Sequence, residues 1–165
     1  MCHIRSTIAD DGTAACLLVW GPVQALLAPS MVLATARDLA AAAAAAELDI
    51  SLVQAFREDL RADDQMLGEL LTMVRSRRPA PVGRAALRVE AVAGARTGQP
   101  YVHIGRGSMK GALSPDEARQ MAQHWTEAAV AAQIDVRLRY ALGEWDSLTA
   151  DEIDQLFTLI QQVGR

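Results

Sequence analysis

The chain has 165 residues, 51% of them hydrophobic and 22% charged, with a formal net charge of −4. That length is enough to bury a core as one domain or two small ones, and the balance excludes a disordered chain or one whose whole surface grips nucleic acid. Lysine occurs once, at Lys110, while arginine and alanine abound, as codon bias in a GC-rich bacterial or phage genome produces without selection for function.

The opening residues, MCHIRSTIADDG, hold one arginine and two aspartates. They lack the basic start and unbroken apolar stretch of an export signal, so a cytoplasmic location is expected. Cys2 and Cys16 are too few for a secreted disulfide framework and read as thiols. They could meet His3 across a first hairpin, but a structural zinc site needs four well-spaced ligands, so neither a metal nor a cofactor is expected. Residues 14–36 then run without a charge for about the length of a bilayer span. Gly21-Pro22 and Pro29 interrupt that run, and no membrane segment is expected.

Val32, Thr35, Ala36, Leu39, Ala43 and Ala46 recur at helical spacing. They form one apolar stripe whose alanines allow a neighbouring helix to approach closely. Arg75, Arg77, Arg78, Arg84 and Arg88 surround Pro79 and Pro81, which favour an extended, exposed linker at 80–86 within a basic region, 75–88.

Beyond the linker, residues 86–93 (ALRVEAVA) and 101–104 (YVHI) are β-like runs on either side of a Thr97-Gly98 turn, and 109–113 form a third short run. Ser114-Pro115-Asp116-Glu117 combines an N-cap serine, a proline at the first helical position and a capping-box glutamate. The helix it starts carries Ala118, Met121, Ala122, Trp125, Ala129 and Ala132 on one face. A second helix is expected over 135–142. A third begins at Thr149, capped by Glu152, with Ile153, Leu156, Phe157 and Ile160 as its buried face.

Displacing the chain on itself by 86 positions aligns Gly12 with Gly98, Gly21 with Gly107, Pro29 with Pro115, Asp49 with Asp135, Glu58 with Glu144 and Thr72 with Thr158. Roughly a fifth of the aligned pairs are identical, without a gap. The chain therefore reads as an internal duplication, with repeats at 1–79 and 87–165. The expected fold is α+β: in each repeat a β-meander of two or three short strands followed by three helices, the repeats packed in a pseudo-twofold arrangement as one domain.

The duplication serves as an internal control, since a feature of both repeats belongs to the fold and one found in a single repeat is a candidate for function. Residues 105–111 (GRGSMKG) precede a capped helix, and Arg106, Ser108 and Lys110 could hold a phosphate or other anion. The first repeat keeps only the glycine, Gly21, which favours a structural turn. The arginines at 75, 77, 78, 84 and 88 could contact a nucleic-acid backbone, although no helix-turn-helix or aromatic pattern accompanies them and a solvated connector is favoured. His103 is expected half-buried in a strand, His124 on a helix surface and Trp125 in the core. Trp145, aligned with Asp59, is a candidate partner contact, or else fills the interface between the repeats. No triad, dyad or metal-binding helix is present, so an enzyme is not favoured. The preferred reading is a small non-catalytic interaction or regulatory protein that binds a protein partner or self-associates, with nucleic acid or a phosphate ligand at residues 105–111 as alternatives.

Overall fold

The computed structural model describes residues 2–94, 97–144 and 148–163. Its order is β1 (Cys2–Ile8), β2 (Ala14–Trp20), β3 (Val23–Leu27), α1 (Pro29–Glu58), α2 (Asp64–Ser76), β4 (Arg88–Gly94), β5 (Gln99–Arg106), β6 (Met109–Leu113), α3 (Pro115–Gly143) and α4 (Ala150–Val163). The strands form two antiparallel sheets, β1-β2-β3 and β4-β5-β6. An offset of 86 relates β1 to β4 and β3 to β6 at both ends, and likewise the first residues of α1 and α3 and of α2 and α4. The α+β class and the internal duplication are thus properties of the backbone as well as of the sequence.

Alternation with a period of two makes the strands. Cys16, Leu18 and Trp20 of β2 turn inward, as do Val102 and Ile104 of β5. The short hairpins are set by Gly21 and Gly107, at φ 56° and 58°. In each, the ladder closes around two residues, Trp20 pairing with Val23 and Arg106 with Met109. Only the first loop residue has a positive φ. That is the type II′ turn, which matches strand twist and leaves the second position open to Pro22 or Ser108.

The helices depart from expectation. Among the described residues each repeat has two, because the predicted first and second helices are one continuous helix, 29 residues long in α3. Gln133-Ile134, where the break was expected, includes no glycine, proline or cap that would stop a helix. The stripe residues Val32, Thr35, Ala36, Leu39, Ala43 and Ala46 are all buried, as are Ala118, Ala122, Trp125, Ala129 and Ala132. Among the described residues of α4, Ile153 and Phe157 are buried, while Leu156 and Ile160 are exposed. Its buried face is therefore narrower than its apolar face.

The α3 start is a reciprocal capping box: the Ser114 backbone N–H donates to Glu117 Oε2 at 2.7 Å, and the Glu117 N–H donates to Ser114 Oγ at 3.2 Å. Thr149 and Glu152 repeat the arrangement at α4, with bonds of 2.8 and 3.4 Å, and Asp63 caps α2 through the Met66 N–H at 2.8 Å. The charge-free run at 14–36 is two strands and the start of a helix. By length and composition α1 could cross a membrane, but it holds a buried Asp49 in its second half.

Compact units do not follow the repeat boundary. Unit 1 comprises Met1–Ser30 and Glu127–Arg165, and unit 2 comprises Met31–Thr126. Unit 1 therefore joins the sheet of the first repeat to α4 and the later part of α3, whereas unit 2 joins the sheet of the second repeat to the first part of α3, to α2 and to nearly all of α1. In unit 1 the Cys16 thiol lies 3.7 Å from the Ala128 carbonyl, a sheet-to-helix contact between residues of different repeats.

Candidate functional site

Two aspartates at equivalent places on equivalent helices have different surroundings. In unit 2, Asp49 of α1 has no exposed surface. A buried carboxylate needs a countercharge and hydrogen bonds to offset its desolvation. Two arginines supply both. Arg75 Nε donates to Asp49 Oδ2 at 2.9 Å. Arg78 donates to both carboxylate oxygens through its two terminal nitrogens, and its Nη2 also lies 3.5 Å from the Ala45 carbonyl. The pair of guanidiniums closes the site from the end of α2.

In unit 1 the equivalent residue, Asp135 of α3, lines a cleft of about 1040 Å³. Its other walls include Arg5, Ser6 and Thr7 of β1, Ala131, Arg139 and Tyr140 of α3, and Phe157 of α4. Ala131 is the equivalent of Ala45, so the cleft contains both positions that Arg78 engages in unit 2. The residues aligned in sequence with Arg75 and Arg78 are Gln161 and Gly164. Among the described residues no hydrogen bond or ion pair reaches Asp135. Burial raises its carboxyl above the ordinary carboxylate range, and the charge of Arg139 opposes that rise.

Arg139 is committed elsewhere. Its Nη1 donates to Asp154 of α4, its guanidinium carbon sits 4.4 Å from the centre of the Phe157 ring, and its Nε–H is buried without an acceptor among the described residues. The cation–π contact and the Asp154 pair hold the guanidinium toward α4 and away from hydrogen bonding with Asp135. The cleft therefore offers a half-buried carboxylate, a neutralised arginine, an exposed tyrosine and hydroxyls from a strand. That set suits recognition of a polar, charged group.

The residues singled out from sequence have other settings. Arg75 and Arg78, read from sequence as solvated connector charges with nucleic-acid contact as the alternative, are the Asp49 clamp. Arg77 is the C-cap residue of α2, Arg84 is exposed, and Arg88 pairs with Glu90 at 2.9 Å. The linker is exposed over 79–84 but docks at its end. There the Ala86 N–H donates to buried Thr35 Oγ1 at 2.7 Å, and the Ala86 carbonyl accepts from Arg106 Nη1 at 2.8 Å. Arg106 is thereby a fastening of the linker.

Residues 105–111 are not a loop before a helix. Residues 105 and 106 end β5, Gly107-Ser108 is the hairpin turn, and Lys110 lies in β6. The setting expected for an anion site, a loop opening a helix, is therefore replaced by the end of a hairpin whose residues 105 and 106 pair with 110 and 109. Lys110 lines a shallow hollow of about 370 Å³ with Arg88, Glu90 and His103. His103 is exposed rather than half-buried, His124 is on the surface as expected, and Trp125 is 1% exposed in the core. Trp145 lies outside the described residues.

Cys2 pairs with Trp20 and Cys16 with Ser6, so the ladder sets the two cysteines four residue pairs apart, and His3 points to the opposite face from Cys2. Burial pushes each thiol up to about 11. Among the described residues no group of three or more histidines, cysteines or carboxylates is placed to hold a metal ion.

Sequence reading misses Asp135, Arg139, Tyr140 and Arg5. The match to Asp49 makes Asp135 look like scaffold. The overlooked signal is that the arginines following Asp49 have no counterparts following Asp135. A scan against protein-family models, a search of curated proteins and a search of solved structures each return no match to this chain.

Proposed function

We propose that this chain is a small non-catalytic interaction or regulatory protein, and that a protein partner engages it at the unit 1 cleft. The observation that carries this reading is the contrast between Asp49, closed by two arginines, and Asp135, which faces a cleft and has no hydrogen bond among the described residues. Shared residues build the fold in both units, while the cleft residues Arg5, Arg139 and Tyr140 have Ala91, Val53 and Gln54 at the aligned positions of the other repeat. Residues that distinguish duplicated units and converge on one concavity are the expected mark of a binding function added to a common scaffold.

Affinity purification from the source cells tests it. A partner recovered at micromolar protein by the wild type and by Lys110→Ala, but lost from Tyr140→Ala and Asp135→Asn, is the expected result. Equal recovery by all four proteins, or a measured turnover that the cleft substitutions abolish, overturns it.

A further inference from the structure

We propose that the unit 1 cleft is a receptor for an arginine side chain, presented by a peptide segment of the partner, with Asp135 as its carboxylate. The inference rests on the binding reading above and specifies the chemistry of what binds. Its template is within the molecule. In unit 2 a guanidinium from outside the helix lies against α1, donating to both oxygens of Asp49 and approaching the Ala45 carbonyl. In unit 1 the equivalent residues, Asp135 and Ala131, are present and line an open cleft. In the sequence, the positions aligned with Arg75 and Arg78 carry glutamine and glycine.

Arginine fits better than lysine. Its planar fork can meet both carboxylate oxygens at once, as Arg78 does, and it is less strongly hydrated than an ammonium group. Arg139 does not compete for the place, because Asp154 neutralises it and Phe157 holds its guanidinium. Tyr140, 73% exposed on the cleft wall, offers a ring face on which an incoming guanidinium can stack. An extended peptide is the fitting carrier, since the opposite wall is β1, whose residues 5–8 line the cleft.

The probe is N-acetyl-arginine amide, titrated into the full chain and followed by amide NMR. It should give saturable shifts at residues 5–8 and 131–140, with a Kd on the order of 1 mM. The isosteric, neutral N-acetyl-citrulline amide should give none, and Asp135→Asn should weaken binding by about tenfold or more. Equal shifts with the citrulline compound, or no saturation, overturn the proposal. So does saturable binding of inorganic phosphate that depends on Arg5, which would make the cleft an anion site. Arginine binding that appears only after Arg165→Gln also overturns it, because the occupant would then be the chain's own arginine. Should the partner depend on Asp135 and Tyr140 while arginine amide does not bind, the arginine assignment fails and the cleft reading stands. If the partner ignores both substitutions, the cleft reading fails as well.

Discussion

Asp49 and Asp135 occupy the same position in two copies of one unit, yet the first is a structural ion cluster and the second is the acidic wall of a cleft. The difference does not lie in the aspartates. It lies farther along the chain in each repeat, where Arg75 and Arg78 come after Asp49 but Gln161 and Gly164 come after Asp135. On the proposed reading, the same carboxylate makes a stabilising contact where arginines follow it and a recognition site where they do not. The retained carboxylate is then left half-buried, with its desolvation only partly offset.

The contrast is most sharply broken by removing the clamp. The double substitution Arg75→Ala with Arg78→Ala leaves Asp49 buried without a countercharge, and urea unfolding should show a loss of about 3–5 kcal/mol. Asp135→Asn should change stability by no more than about 0.5 kcal/mol at neutral pH, with a definite sign. Burial raises the folded-state carboxyl of Asp135 against the opposing charge of Arg139, with Arg5 and Tyr140 as the other ionisable groups on the cleft walls. The folded state therefore holds the Asp135 proton more tightly than the unfolded chain does. Stability falls as the pH rises from the ordinary carboxylate value through the raised one. The asparagine variant removes that cost, so it should be slightly the more stable protein above this window and equal to the wild type below it. A loss of stability on Asp135→Asn comparable to that of the double variant would show that both aspartates are structural.

A smaller contrast separates the helix starts. Ser114 and Glu117 cap α3 reciprocally, and hydrogen bonds from the Ser114 backbone and side chain hold Glu117 below the ordinary carboxylate range. The equivalent of Ser114 ahead of α1 is Ala28, and α1 has no acidic residue in its first turn. Ser114→Ala should cost about 1 kcal/mol, and Ala28→Ser should recover up to about that much at the other helix, both read from thermal unfolding.

Local signals are the legible ones. The glycine turns at Gly21 and Gly107, the capping boxes at Ser114 and Thr149 and the alanine stripes each depend on neighbours a few residues away, and each is found in the structure. The length of α1 and α3 is harder to read because helical periodicity pauses near residue 133 without any residue that breaks a helix. The regrouping of each sheet with helices of the other repeat leaves no trace in sequence, since either grouping would bury the same stripes. The site is illegible for a related reason. Arg75 and Arg78 look like solvated linker charges until the fold carries them, across 26 and 29 positions, to a buried carboxylate.

The central claim, that the Asp135 cleft is an unfilled version of the Asp49 site, has a direct measurement in the side-chain carboxyl NMR signals of Arg78→Ala titrated with ethylguanidinium. In the wild type only the Asp135 signal should respond. In Arg78→Ala the added cation should restore the missing contact, so that Asp49 and Asp135 both respond and the variant regains part of its lost stability. A wild type in which Asp135 is silent, or a variant in which Asp49 responds and Asp135 does not, would contradict the equivalence of the two sites.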